Sequence, residues 1–163
     1  MSIKPVGDIA QIVAQEIERA AQASRTEIIT KLQQIGEQAV NAARSVVTAG
    51  GLAGSGKPYK VDTGNLTSSI GYIISADGKT VVKSAFQPIQ NGNEGSSKGS
   101  SFAERLAAQH PNGYALIIVA GMHYASYVQD RGYDVLASGQ LIAERLVNKL
   151  KDEFNSKAKR YGD

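Results

Sequence analysis

The sequence predicts an α+β domain with a long N-terminal helix, a small antiparallel sheet of three to four strands and a C-terminal helix. Three observations support this class. Apolar residues recur at three- and four-residue steps near both ends of the chain, as in amphipathic helices. Short runs rich in β-branched and aromatic residues lie between these ends, and glycine-rich segments separate the runs. The whole chain, residues 1–163, is predicted to form one domain.

The N-terminal helical pattern covers residues 8–48 and contains no proline. A helix of about 40 residues would be roughly 60 Å long, whereas a compact domain of this size is roughly 40 Å across. Two alternatives remain. The capping-box sequence from Ser24 to Glu27 starts a second helix, or the helix is continuous and extends beyond the domain, where a neighbouring subunit would cover it.

Two glycine-rich segments, residues 49–59 and 87–101, are predicted to be mobile loops. The stretch from Gly51 to Lys57 matches the G-x-x-x-x-G-K pattern of a phosphate-binding loop. However, a predicted helix precedes it, and Pro58 stands where that loop needs a serine or threonine for magnesium. Nucleotide binding is therefore not expected. A short helix over residues 102–109, with Ser101 as its N-cap, is predicted to follow the second loop.

The predicted sheet contains a hairpin and one further strand. Residues 66–75 and 80–86 are rich in Ile, Val, Thr and Tyr, and Asp77-Gly78 between them is a typical hairpin turn. The continuous apolar run at 115–120 predicts a central strand buried on both faces. The last helix is predicted from a Ser138 cap to Lys157. Its apolar stripe contains Leu141, Ile142, Leu146, Leu150 and Phe154.

The composition argues against several classes of function. The chain has no cysteine, so disulfides cannot form. A predicted strand separates its two histidines, His110 and His123, so no metal site and no cofactor are expected. The net charge of +3, with both signs interspersed, does not favour specific nucleic-acid binding. No apolar run reaches about 18 residues, so no contact with a membrane is predicted.

Three of the seven tyrosines, Tyr124, Tyr127 and Tyr133, lie close together after the apolar strand. Tyr124, Tyr127 and Val128 have the spacing of one helical turn, which would place them on one side. A tyrosine buries a large apolar ring while its hydroxyl still needs a partner. The cluster therefore fits either a subunit interface or the rim of the domain core, and the three tyrosines are the candidate interface residues.

The sequence Asp62-Thr63-Gly64 has two interpretations. It matches the active-site signature of aspartic proteases, in which two copies of the chain would share a proton between carboxylates. That chemistry needs an all-β framework, which the long helix opposes. In the structural interpretation, Asp62 or Thr63 caps a turn through its side chain, and Gly64 supplies a backbone angle that other residues resist. Leu66 follows as an apolar anchor. The structural interpretation is preferred.

Two segments together resemble a known family. The run D-T-G-N-L-T-S-S-I at 62–70 resembles the D-T-G-x-L-x-x-S-I strand opening of the phage HK97 gp10-like family of neck and tail-completion proteins. The run Y-A-S-Y-V-Q at 124–129 resembles the Y-A-x-Y-V-E of that family, with Gln129 in place of the usual glutamate. The resemblance covers about residues 26–154, although residues 131–136 depart from the F-G-T pattern of many members.

The resemblance implies a non-enzymatic virion structural protein that forms a ring in the neck, or at the proximal tail end, of a tailed bacteriophage. Such a ring helps to join the head to the tail. The implied partners are other copies of the chain, as a hexamer or dodecamer, portal-side or adaptor-side neck proteins, and tail tube or terminator proteins. The genome would pass through the ring without specific recognition. The implied location is the virion, after assembly in the cytoplasm of the bacterial host.

Overall fold

A computed structural model describes residues 7–48, 63–130 and 134–161, and these residues confirm the predicted α+β class. A long N-terminal helix, a three-stranded antiparallel sheet and a C-terminal helix are all present. The elements in chain order are α1 (Gly7–Thr48), α2 (Asn65–Ser68), β1 (Ile70–Ala76), β2 (Lys79–Lys83), α3 (Asn93–Ala107), β3 (Tyr114–Ala120), α4 (Ala125–Asp130) and α5 (Ala137–Tyr161).

Within the described residues, the sheet has the strand order β2-β1-β3, with both neighbours antiparallel to β1. The central strand is therefore β1, and all of its residues except Ala76 are buried. The prediction that the run at 115–120 forms the central strand, buried on both faces, is wrong. That run does form β3, but β3 is an edge strand with only Ile117 and Val119 fully buried.

Helices cover both faces of the sheet, and each face has its own core. The second half of α1, together with α5, packs against the face that carries Ile70, Tyr72 and Ile74. Helix α3 packs against the opposite face, where Ile73 meets Phe86 and the buried side chains of β3. Because β1 lies between two helical layers, it carries isoleucine on both faces, with Ile74 on one and Ile73 on the other, which is why its alternation is weak in the sequence.

The predicted hairpin turn is confirmed, but the strand boundaries differ. Asp77 and Gly78 have φ angles of 50° and 77°, which is the backbone conformation that an Asp-Gly turn supplies. Residues 66–69 were predicted to begin the first strand, yet they form α2 and its C-cap. The Ser69 hydroxyl donates to the carbonyl of Leu66 over 2.8 Å, and local bonds of this kind compete with strand pairing.

The prediction of a loop over residues 87–101 is wrong, because residues 93–101 belong to helix α3. The helix begins at Asn93, whereas the sequence predicted its start at Phe102 with Ser101 as the N-cap. Only residues 84–92 between β2 and α3 lack regular structure. The reason is tertiary packing, since the four small residues of α3 at four-residue spacing are all buried against neighbouring elements: Gly95, Gly99, Ala103 and Ala107.

Helix α1 is continuous through Ser24, so the capping box does not break it. Its 42 residues give a length of roughly 60 Å. Helix α5 runs antiparallel beside its second half. Lys31 Nζ lies 2.7 Å from Glu153 Oε2, and Lys157 Nζ lies 2.7 Å from Glu27 Oε1. These pairs place the C-terminal end of α5 near residue 27 of α1.

The first part of α1 extends past the end of α5. Side chains at positions 11 and 13–26 are all exposed, including Ile17 at 65% and Val13 at 51%. We call residues 7–26 the overhang. It is about 20 residues, or roughly 30 Å, long. Of the two alternatives from the sequence, the structure therefore shows the continuous helix that extends beyond the domain.

Helix α5 matches its predicted range, with two differences. Of the predicted stripe, Leu150 is buried and three members are partly buried, but Leu141 is 70% exposed. Ala143 takes the inward position instead. The helix begins at Ala137, so Ser138 is not its N-cap. Asp134 instead accepts hydrogen bonds from the backbone N–H and the hydroxyl of Ser138.

Candidate interaction surface

The structure brings the two motif segments together at one end of the sheet. Ile70, which ends the first motif, pairs with Ala120 at the end of β3, four residues before the second motif begins. The backbone N–H of Gly121 donates to the carbonyl of Ser69 over 3.1 Å. We call this region, residues 63–70 and 120–128, the motif junction.

Gly64 starts the motif junction in a conformation that favours glycine. Its φ is 74°, in the left-handed region. Its carbonyl accepts a hydrogen bond from Ser68 N, and the Thr63 hydroxyl accepts one from Asn65 N over 3.3 Å. Leu66 is buried at 3% exposure. Thr63, Gly64 and Leu66 thus form a turn of the kind that the structural interpretation describes, while Asp62 lies outside the described residues. The role of the motif stays a prediction.

Alanine at Gly64 is expected to destabilise the protein at least about 1 kcal/mol more than alanine at Gly113, because only Gly64 is sterically confined. The two φ angles, 74° and 71°, impose similar backbone strain. A Cβ on Gly64 would lie 2.2 Å from the Ile89 carbonyl oxygen, whereas the Gly113 position meets no described atom within 4 Å. Urea denaturation of both variants measures the difference, and equal losses would contradict the role of Ile89.

Helix α3 closes the motif junction from the other face of the sheet. Asn65 Oδ1 accepts a hydrogen bond from Gly95 N over 3.1 Å, and Ser68 Oγ accepts one from Ile89 N over 2.8 Å. The sequence did not predict this contribution, because a run of glycines and serines is typical of a loop. The four-residue spacing of the small residues from 95 to 107 was the signal that could have revealed it.

The candidate interface tyrosines do not share one environment. Tyr124 is partly buried against the larger core, and the His123 ring lies edge-on to it at a centroid distance of 5.2 Å. Tyr127 is 57% exposed, while Ala125 and Val128 face inward from α4. The prediction that Tyr127 and Val128 share a side is wrong. Tyr133 lies outside the described residues. An interface role for the tyrosines stays a prediction.

Replacing Tyr127 with alanine is expected to lower the unfolding free energy by less than about 1 kcal/mol, because its ring is largely exposed. If the ring anchors a subunit contact, self-association should weaken at the same time. Thermal melts beside sedimentation profiles separate these effects. Val128→Ala, on the buried side of the same helix, should show the opposite pattern of reduced stability. A large stability loss in monomeric Tyr127→Ala would assign the ring to the core.

A cluster of polar side chains joins α1 to β1 through hydrogen bonds. The Tyr72 hydroxyl donates to Glu37 Oε1 over 2.8 Å, and burial together with this carboxylate raises the pKa of Tyr72. Arg44 donates through Nη2 and Nε to the Ile70 carbonyl at 2.6 and 3.1 Å. Burial lowers the pKa of Arg44, although the Glu37 charge opposes this shift. The cluster therefore anchors the start of β1 to α1.

Two of the open cavities on the surface of the described residues adjoin β3. One, of about 440 Å³, lies between β3 and α5. Its floor is apolar and includes Leu116, Ile118 and Val147, while its rim is polar and includes Glu144 and Lys151. We call it the β3–α5 groove. The other, of about 590 Å³, lies beside α3 and the motif junction, and Lys98, Arg105 and His123 are among its lining residues.

Both histidines lie on the surface of the described part of the chain. His110 and His123 are both exposed, and no group of three or more potential ligands is found among residues 7–48, 63–130 and 134–161. In the same residues, no helix is both long and apolar enough to cross a membrane. Comparisons with protein-family models, curated proteins and solved structures gave no match.

Proposed function

We propose that this chain is a structural protein of a tailed bacteriophage that forms a homo-oligomeric ring in the neck or at the proximal tail end. The observation that carries the proposal is the motif junction. The two segments that resemble the HK97 gp10-like family lie 54 residues apart in the chain, from Ile70 to Tyr124, yet they meet at one end of the sheet. The two segments that carry the resemblance thus belong to one packed structural unit.

The overhang supports self-association within this proposal. Exposed apolar side chains on a helix that projects roughly 30 Å from the domain are a poor arrangement for an isolated monomer, because they leave Val13 and Ile17 in water. A neighbouring subunit that covers them stabilises both copies. A contact between different surfaces of two copies repeats from subunit to subunit, and it forms a ring when the rotation closes.

The proposed partners follow from this role. Copies of the chain form a hexamer or dodecamer, portal-side or adaptor-side proteins contact one side of the ring, and tail tube or terminator proteins contact the other. The proposed location is the virion, after assembly in the host cytoplasm. No enzymatic step is proposed. The aspartic-protease alternative gains no support from the described residues, since α2 rather than a β-framework follows Thr63 and Gly64.

Light scattering after size exclusion, combined with negative-stain microscopy, tests the proposal. A closed ring with a central opening and six or twelve subunits is the expected result. A protein that stays monomeric at all concentrations would overturn the ring. A dimer that cleaves peptides at acidic pH, and loses this activity in Asp62→Asn, would favour the protease instead. The Asp62→Asn variant is otherwise expected to assemble normally, because asparagine keeps a side-chain acceptor for the turn.

A further inference from the structure

We infer that the overhang of one subunit docks into the β3–α5 groove of the next, an inference that rests on the proposed ring. The overhang is exposed at every described side chain from 13 to 26. The groove, in turn, leaves the apolar side chains of Leu116 and Ile118 only partly buried on an edge strand. Each surface therefore carries apolar side chains that its own subunit leaves at least partly exposed.

The two surfaces match in polarity. Val13, Ile17 and Ala21 recur at four-residue steps, so they form one narrow apolar stripe on the overhang. The floor of the groove is also apolar, and α5 forms one of its walls. Laying an amphipathic helix into an apolar groove beside another helix is a common mode of recognition. The Lys31–Glu153 ion pair places position 21 of the continuous α1 roughly 20 Å along the helices from Asn148 of its own groove, so the overhang that fills a groove comes from a neighbouring subunit.

Charges beside the apolar surfaces define a register. Glu144 and Lys151 lie seven residues apart on the rim of the groove, and Glu18 and Arg25 lie seven residues apart beside the apolar stripe of the overhang. All four are exposed. Antiparallel docking places Glu18 opposite Lys151 and Arg25 opposite Glu144. Such pairs contribute to register and selectivity more than to affinity.

This register predicts which residues face each other. With Glu18 opposite Lys151, Ala21 of one subunit lies opposite Asn148 of the next, and Ile17 lies opposite Asp152, one residue past the end of the groove lining on α5. Val13 lies beyond the groove in this register. Since the chain contains no cysteine, an engineered pair meets no competing thiol. Within one subunit, the ion pair between Lys31 and Glu153 fixes α5 against α1. Ala21 and Asn148 are then separated by roughly 20 Å along the helices, so a disulfide between them joins two subunits.

The first experiment is oxidation of full-length Ala21→Cys/Asn148→Cys under conditions where the wild type forms rings. A ladder of cross-linked multimers on a non-reducing gel is expected. Ala23→Cys/Asn148→Cys is the matched control, because two helical residues rotate the thiol by roughly 200°. It should give no ladder, since a disulfide requires Cα atoms within about 7 Å. A ladder of equal strength from both variants, or from neither, would overturn the docking.

The second experiment uses substitutions at exposed positions. Ile17→Asp is expected to raise the dissociation constant between subunits at least about tenfold, as loss of an interface anchor does. Gln15→Asp, on the opposite side of the same helix, should leave it unchanged. Glu18→Lys and Lys151→Glu should each weaken association, and combining them should restore it. Melting temperatures of the monomers should not differ, because these side chains are exposed.

The outcomes separate this inference from the proposed function. Rings that form normally in Ile17→Asp, with no ladder from Ala21→Cys/Asn148→Cys, would overturn the docking and leave the ring intact. A wild-type protein that stays monomeric at every concentration would overturn both. A ladder specific to position 21, with rescue by the double charge reversal, would establish the antiparallel register.

Discussion

Replacing Gly95 with alanine is expected to destabilise the protein by about 3 kcal/mol, near the upper end of typical overpacking costs. Helix propensity alone predicts the opposite sign, because alanine in a helix is favoured over glycine by about 1 kcal/mol. The steric cost of the added Cβ outweighs this gain in helix propensity. A Cβ on Gly95 would lie 1.9 Å from the carbonyl oxygen of Asn65, and neither backbone can move without separating α3 from α2.

The control for this prediction is Ser97→Ala on the same helix. Ser97 is exposed, so only propensity changes, and the variant should be neutral or stabilised by about 0.5 kcal/mol. Denaturant titrations of both variants provide the comparison. If Gly95→Ala were as stable as Ser97→Ala, the close packing of α3 on the motif junction would be wrong, and the segment would behave as the loop that its composition suggested.

Replacing Tyr72 with alanine is expected to cost about 3–5 kcal/mol, the range for truncating a large buried aromatic residue. Tyr72 is only 1% exposed and lies in the larger core. Its ring lies so close to α1 that a Cβ on Gly36 would be 2.7 Å from Tyr72 Cδ2. Truncation therefore removes the contact that holds the central strand against α1.

The Tyr72→Phe variant distinguishes the stability contribution of the ring from that of the hydroxyl. The phenylalanine keeps the packing and loses the hydrogen bond to Glu37, so the expected cost is about 1 kcal/mol. Urea titrations of the two variants measure both contributions. A loss in Tyr72→Phe as large as that in Tyr72→Ala would show that the polar contact, and not the ring, holds β1 against α1.

Much of the fold could be predicted because local patterns and tertiary structure agree. The long helix, the Asp-Gly hairpin turn and the final helix all follow from spacings within the sequence. The choice between a broken and a continuous α1 could not be predicted, because a capping box also fits inside a helix. The central position of β1 could not be predicted either. Its Gly71 and Ser75 look unlike a buried strand until Gly71 is seen beneath the Phe86 ring.

The candidate site was predicted in part. The need for glycine at position 64 follows from turn chemistry, and its φ angle agrees. Helix α3 was missed because glycine and serine are poor helix formers, and only contact with α2 and β1 compensates for that weakness. The orientation of Tyr127 was wrong because α4 begins at Ala125, so the turn that faces the core contains Ala125 and Val128.

Under the proposed docking, the pairing of the first helix with the last one would determine when a subunit can accept a neighbour. The part of the apolar face of α1 that packs against α5 is not covered until α5 has left the ribosome, about ten seconds later at typical synthesis rates of 5–20 residues per second. The β3–α5 groove also does not exist before that moment, since α5 is one of its walls. A nascent chain therefore lacks the acceptor surface for a neighbour. Under the proposed docking, assembly through this groove would draw only on chains synthesised past α5, and shorter nascent chains would be excluded from a growing oligomer.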